Sequence, residues 1–194
     1  MFQLSKAGQI YLLKLSRKTI QEFFQFGRRP SDVPTENELL EKRAVFVTLT
    51  SRGHLRGCVG YVTPLFPLYE GVINCSVSAA TDDPRFQPLN FDELEHIEIE
   101  ISVLSSMKAV KEVGQIEIGT HGLLISHKGR RGLLLPQVPV EHGWDRERFL
   151  SETCRKAGLP LDSWEKGALI EFFTATVFGE KDLDRPSMAA TDEF

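Results

Sequence analysis

The sequence predicts an α+β fold, in which a mixed or largely antiparallel sheet is flanked by helices. Residues 44–50 are rich in β-branched residues, and a Ser51-Arg52-Gly53-His54 turn joins them to a second strand that begins at Leu55. Apolar and polar residues alternate between Ile97 and Val103, which is typical of an antiparallel strand with one wet face. Helical patterns interrupt these strands without a regular βαβ alternation, so the pattern favours α+β over α/β.

Three helices are predicted from apolar residues at spacings of three and four. The first covers residues 5–26, with Ser5 as its N-cap and Gly27 at its end. The second starts at Leu65 and places Cys75 on its buried face. The third follows Asp145, which should cap it, and it stops at Gly158.

The remaining elements are shorter. The patterns predict strands at 116–119, 122–127 and 168–178, a turn at 128–132, and an irregular pocket wall at 136–144 that contains Gln137. The strand at 168–178 is apolar on both faces and should be interior. We expect a single domain over 1–180, with a small subdomain near 108–140 and a frayed tail at 181–194.

Composition limits the classes of function. The 194 residues carry a net charge of −4, and the pI is near 5.8. A chain that binds nucleic acid mainly through phosphate contacts needs a basic face, so this acidic balance argues against nucleic acid as the partner. The sequence contains no run of 18 apolar residues and no signal-peptide pattern, so we expect a cytoplasmic protein that does not enter a membrane.

The cysteines and histidines give no metal signal. Three cysteines in an odd count lie far apart, without C-x-x-C spacing, and five histidines form no H-E-x-x-H motif. We therefore expect reduced thiols, no metal site and no cofactor. Cys75 and Cys154 lie on predicted helix faces and are expected to be buried, structural and unbonded.

The most informative stretch is Leu55–Gly60, in which Gly57 and Gly60 flank Cys58 and Arg56 precedes them. Two glycines in a strand indicate a bulge or a close approach of another group to the backbone. If that group is a ligand, the arginine supplies charge and the cysteine supplies reactivity. The alternative is a hairpin strand with a buried cysteine, a residue type that is often fully buried.

A second polar cluster follows the second helix at Asp83-Pro84-Arg85-Phe86. Asp83 could be a turn former that is ion-paired with Arg85, or both could belong to a site. His121 lies between two of the predicted strands. Functional groups concentrate where loops gather over a scaffold. We therefore predict that at least four of five residues share one cleft: Arg56, Cys58, Asp83, Arg85 and His121.

The order of several motifs along the chain resembles the AMMECR domain family. The matching segments are Phe46–Leu49, Leu55–Gly60, Asp83–Phe86, Ile101–Ser105, Gly119–Gly122, Leu135–Val138 and Gly143-Trp144. The resemblance covers about residues 44–180. The family commonly has isoleucine where this chain has Val59. The resemblance implies an intracellular α+β domain with the cysteine motif near a cleft, and it brings no established reaction.

The resemblance also implies partners, because family members occur with, or fused to, Memo-like proteins and radical S-adenosylmethionine proteins. Two function classes compete. In an enzyme or enzyme component, Cys58 is a nucleophile or redox thiol, Arg56 or Arg85 orients an anionic substrate, and His121 or His54 transfers a proton. Asp83 is a further catalytic candidate. In a binding module, the arginines, Gln137 and the backbone of Gly57 and Gly60 hold a small anion or a partner protein.

Overall fold

The computed structural model describes residues 3–182, and within them the α+β class is confirmed. Five α-helices lie in this range: α1 (Lys6–Phe26), α2 (Asn37–Leu40), α3 (Leu68–Thr81), α4 (Gln137–Glu141) and α5 (Arg146–Lys156). Eight strands lie in the same range: β1 (Val45–Ser51), β2 (His54–Tyr61), β3 (Ile97–Leu104), β4 (Lys108–Ala109), β5 (Gly122–His127), β6 (Arg130–Leu134), β7 (Leu169–Phe173) and β8 (Ala175–Gly179).

The strands form two four-stranded antiparallel sheets, with the orders β2-β1-β3-β8 and β4-β7-β5-β6. The chain divides into two compact units. The first runs through Val103 and resumes at Val177, and the second spans Leu104–Thr176.

Local signals set the helix ends as the sequence predicts. The Ser5 hydroxyl accepts a hydrogen bond from the backbone N–H of Gly8, and Gly27 ends α1 in the left-handed conformation. Asp145 caps α5 by accepting from the backbone N–H of Arg148, and Gly158 follows that helix at a φ of +68°. The second helix begins later than predicted, because Leu65 lies in the loop before Pro67, which is the N-cap of α3.

In the first unit, α1 packs on α3, and α3 packs on β1 and β2. Alternate residues of β1 point into this core, so Val45, Val47 and Leu49 are fully buried. Three isoleucines and a valine of β3 do the same: Ile97, Ile99, Ile101 and Val103. The opposite face of this sheet carries Thr48 and Cys58, which are only half-buried.

The second unit has a core of its own, in which α5 packs on β5 and β6. Phe149 and Leu150 of α5 meet Leu123 and Ile125 of β5 there, and all four side chains are fully buried.

Several predicted elements of the second half differ from the structure. Residues 116–119 are not a strand, because the chain turns at Glu117, whose carbonyl accepts from the N–H groups of Thr120 and His121. The predicted turn at 128–132 contracts to Lys128-Gly129, since Arg130 already belongs to β6. The predicted irregular wall at 136–144 contains the helix α4.

The predicted interior strand at 168–178 is two strands in different sheets. It breaks at Thr174, whose N–H donates to the Ser105 hydroxyl and whose carbonyl accepts from the Ser105 N–H. Lys181 begins the predicted frayed tail, yet it lies in a 3-10 turn at Glu180–Asp182. The rest of that tail, 183–194, lies outside the described residues.

Candidate functional site

Cys58 lies on β2, the edge strand of the first sheet, directly across from Thr48 of β1. The register shifts between Leu49 and Thr50, so that Arg56 is the extra residue of a β-bulge. A bulge redirects side chains, and this one places the half-buried sulfur of Cys58 opposite the Thr48 hydroxyl. Thr48 Oγ1 donates to Cys58 Sγ at 3.3 Å.

The glycines on either side of Cys58 have no side chain, so other groups of the protein can pack directly against the backbone there. A Cβ on Gly57 would lie 2.0 Å from the carbonyl oxygen of Ala79, because the end of α3 crosses the strand there. A Cβ on Gly60 would lie 2.2 Å from the ring of Phe46. The close approach that the sequence predicts is therefore between a strand and a helix at the first glycine, and between a strand and an aromatic ring at the second.

The turn after α3 covers the exposed edge of β2 at Cys58. Asp83 Oδ2 accepts from the Cys58 backbone N–H at 2.8 Å, and Arg85 Nη2 donates to the Cys58 carbonyl at 3.4 Å. Arg85 also donates to both carboxylate oxygens of Asp83, from Nε to Oδ1 at 2.9 Å and from Nη2 to Oδ2 at 2.7 Å. Together the two side chains replace a neighbouring strand along one residue of the edge.

Charge is concentrated at the backbone of Cys58. The guanidinium of Arg85 and the two backbone N–H donors hold the pKa of Asp83 far below its usual range, although the side chain is only 4% exposed. The pKa of Arg85 is raised, first by its hydrogen bond to Asp83 and further by the Cys58 thiol. Asp83 is therefore a permanent carboxylate at neutral pH, and Arg85 is a cation in contact with Cys58.

Arg56 has a different role from Arg85 in this arrangement. All three of its guanidinium nitrogens are engaged by the protein: Glu93 accepts from Nε and Nη2, Gln87 O accepts from Nη1, and Pro88 O from Nη2. Glu93 in turn forms a capping box with Asn90. Arg56 thus ties the bulge of β2 to the segment at 87–93.

Cys58, Asp83 and Arg85 are in direct contact within the first unit, and Arg56 lies two residues from Cys58 on β2. That at least four of the five residues share one cleft stays a prediction. His54 is exposed at the start of the same strand. Sequence reasoning missed Thr48 and Glu93. The predicted hairpin turn places Thr48 on the strand beside Cys58, so it was the signal that could have identified Thr48. The bulge, however, changes which residue of β2 lies opposite Thr48 from the one that a regular hairpin would give.

Two predicted site residues, His121 and Gln137, belong to the second unit. His121 Nδ1 accepts from the Glu117 backbone N–H at 3.1 Å, which assigns the proton of the neutral ring to Nε2. Its ring lies 4.4 Å from the ring of Phe172. Gln137 begins α4, and its buried Oε1 has no hydrogen-bond partner among residues 3–182. Their roles in binding or proton transfer stay predictions.

The other two cysteines are structural, as predicted, and all three thiols are free. Burial raises the pKa of Cys75 to about 12, and its thiol donates to the Val45 carbonyl. Burial also raises the pKa of Cys154, which is fully enclosed in the second core. Cys58 is therefore the cysteine of this chain that is only partly buried.

Two further observations concern only the described part of the chain. No group of three or more His, Cys, Asp or Glu side chains there could hold a metal ion. None of the helices in residues 3–182 has both the length and the apolar character needed to cross a membrane.

Comparison with known proteins places these features in a family. The AMMECR1 family model matches residues 13–178. The protein MK0488 of Methanopyrus kandleri is 45% identical over 186 residues, which cover 91% of this chain and 90% of that protein. The crystal structure of the uncharacterized protein PH0010 from Pyrococcus horikoshii superimposes with a TM-score of 0.84 at 40% identity, and the match covers 88% of this chain and 90% of that one. The chain belongs to the AMMECR1 family.

Proposed function

We propose that this protein is an enzyme, or a component of one, in which the thiolate of Cys58 reacts with a small anionic substrate. One observation carries the proposal: Cys58 is half-buried, its sulfur accepts a hydrogen bond from the Thr48 hydroxyl, and its backbone carbonyl accepts one from the Arg85 guanidinium. Cysteines that act as nucleophiles lie in partly exposed surroundings with hydrogen-bond donors and cations nearby.

Each neighbour has a distinct role in this proposal. Among the described contacts, Arg85 uses Nε and Nη2, and its Nη1 takes part in none of them. The side chain is 50% exposed, so Nη1 can donate to an anionic substrate. Asp83 is a positioning residue, because its carboxylate stays charged and its oxygens are occupied by backbone and guanidinium donors. Arg56 supports the strand, since its donors are already used.

The chemistry is nucleophilic in this proposal and does not use a dithiol pair. A dithiol reaction on one chain needs a second reactive thiol, but Cys75 and Cys154 are both buried, and burial raises the pKa of each. A partner protein would have to supply a second thiol. We extend the proposal to the partners that the family resemblance implies, which are Memo-like proteins and radical S-adenosylmethionine proteins. We also propose that the protein acts in the cytoplasm, because its three free thiols are typical of a reducing compartment.

A non-catalytic binding module is the second candidate. It is favoured by the fact that Asp83 and Arg85 also act as a cover for the strand edge at Cys58. In that case the same residues hold a small anion or a partner protein, and the thiol contributes packing only.

Site-resolved alkylation distinguishes the two candidates. The folded full-length chain is treated with iodoacetamide at neutral pH, and the extent of modification at each cysteine is followed by mass spectrometry. We expect Cys58 to react at least about 100-fold faster than the two buried cysteines, which act as internal controls. Thr48→Val removes the hydroxyl that donates to the sulfur, and it should slow the labelling of Cys58 several-fold.

The matched control is Thr50→Val, because Thr50 lies on the same strand and is half-buried in the same way. It should leave the labelling rate unchanged. If Cys58 reacts only after unfolding, or if both threonine variants slow labelling equally, the thiol is not an activated nucleophile and the binding module is the better account. Cys58→Ser should keep the fold in either case, since the two side chains are nearly isosteric.

A further inference from the structure

The second unit contains a basic hollow of about 560 Å³ that shares no residue with the Cys58 site. Its rim is basic, with His127, Lys128, Arg130 and Lys166, and Leu159 and Pro160 form an apolar part of its wall. Pockets of this size accommodate small metabolites.

The hairpin turn at the rim carries a lysine in an unfavourable conformation. Lys128 has a φ of +47° and Gly129 a φ of +79°, the pair of left-handed residues that a two-residue turn between β5 and β6 requires. Asparagine, aspartate or glycine fits the first of these positions with less strain than lysine. The turn thus holds a cation at the hollow where an uncharged residue would be better for folding.

The other two cations of the lining, Arg130 and Lys166, each have a contact within this unit. Arg130 Nη1 donates to the carbonyl of Gly158, just after α5, and Lys166 pairs with Asp162. Neither Lys128 nor Arg130 forms an ion pair with a carboxylate of residues 3–182. Positive charge in the hollow therefore exceeds the negative charge that Asp162 supplies.

We propose that this hollow binds the phosphate or diphosphate group of a small molecule. Lysine and arginine side chains that line one hollow suit phosphate oxygens, and Leu159 and Pro160 in the same lining suit an apolar part of the ligand. A small ligand is favoured over a polyanion because the cations line a concavity, and because the net charge of −4 repels a long polyanion.

Two matched variants test the proposal on the full-length chain. Lys128→Asn removes the charge and relieves the left-handed strain, so it should raise the midpoint of urea unfolding while weakening the binding of inorganic pyrophosphate by about fivefold or more. Arg52→Asn makes the same change in charge at a matching turn in the first unit, where Arg52 has a φ of +51° and Gly53 of +80°. It should also stabilise the protein, but it should leave pyrophosphate binding unchanged.

Binding is measured at constant ionic strength by calorimetry, and the site is located by backbone NMR shifts. In the wild type, saturable shifts should concentrate at 127–130 and 158–166. The proposal is overturned if pyrophosphate gives no saturable binding, if the shifts lie elsewhere, or if Lys128→Asn binds like the wild type. Equal weakening by both variants would show a general effect of net charge and would also overturn it. Binding of poly-glutamate without pyrophosphate would identify an acidic polypeptide as the occupant instead.

Discussion

Asp83 shows how a buried carboxylate can remain charged. An unpaired carboxylate with 4% exposure would be strongly destabilising, because burial removes its hydration. Here its two oxygens accept from the N–H groups of Cys58 and Arg85 and from two nitrogens of the Arg85 guanidinium. These hydrogen bonds compensate the negative charge of Asp83. They also hold the backbone of Cys58 in place.

Two arginines that look alike in the sequence have different surroundings. Both Arg56 and Arg85 lie near Cys58, and the sequence predicts either as the anion-binding residue. Arg56 is 18% exposed and bound on all sides, whereas Arg85 is half exposed. The difference depends on Glu93, which reaches Arg56 only after folding, so the sequence could not divide the roles of the two arginines.

A prediction at this scale concerns Cys75, which is 1% exposed in the first core. Cys75→Ala removes a buried sulfur and should lower the free energy of unfolding by about 1–3 kcal/mol, through lost packing and the cavity that remains. Urea unfolding measures the loss. Iodoacetamide labelling of Cys58 should be unchanged in the folded variant. A large change in that labelling would mean that Cys75 influences the site and is not purely structural.

The sequence predicts helices better than strand partners because helix signals are local. Caps at Ser5 and Asp145 and left-handed glycines at Gly27 and Gly158 sit within a turn of the helix that they end. Strand pairing depends on residues far apart. A regular hairpin from the Ser51–His54 pair would place Thr48 opposite Gly57, whereas the bulge at Arg56 moves Thr48 opposite Cys58. The thiol's hydrogen-bond donor was therefore beyond sequence reasoning.

The crossing of α3 over β2 makes a prediction at the scale of elements. Gly57→Ala would place a methyl group 2.0 Å from the Ala79 carbonyl, so the helix and the strand must separate. Overpacking against backbone should lower the free energy of unfolding by about 1–3 kcal/mol, and the displaced strand should change the labelling rate of Cys58. Both are measured on the same sample, by urea unfolding and by mass spectrometry.

The control for that prediction is Gly114→Ala, since a Cβ at Gly114 meets no atom within 4 Å and its φ is not left-handed. Its effect on stability should stay within about 0.5 kcal/mol. If Gly57→Ala is as mild as this control, the helix can shift at little cost and the glycine is not required for the contact.

The chain leaves the first unit after Val103 and returns to it at Val177. The returning strand, β8, follows β7 with only Thr174 between them. Both strands are short and rich in apolar residues. The sequence therefore predicts one strand over 168–178, whereas the structure has two strands in different sheets. Hydrophobic pattern alone carries no information on which sheet a strand joins, which is why the division into units needed the three-dimensional structure.

The folded chain should lose stability in acid. The guanidinium of Arg85 lowers the pKa of Asp83 from its ordinary 3.8, and that of Arg56 lowers the pKa of Glu93 from its ordinary 4.5. The unfolded chain then binds more protons in acid, so both contributions are complete above about pH 5 and are lost as the pH falls towards about 2. Urea unfolding across this range should show a loss of roughly 1–3 kcal/mol in the free energy of unfolding from Asp83.

Asp83→Asn should flatten this decline of stability in acid. Asp162→Asn should leave the decline nearly unchanged, because solvent screens the Asp162–Lys166 pair. Equal flattening by both variants would show that general charge repulsion, and not the Asp83–Arg85 pair, sets the acid response.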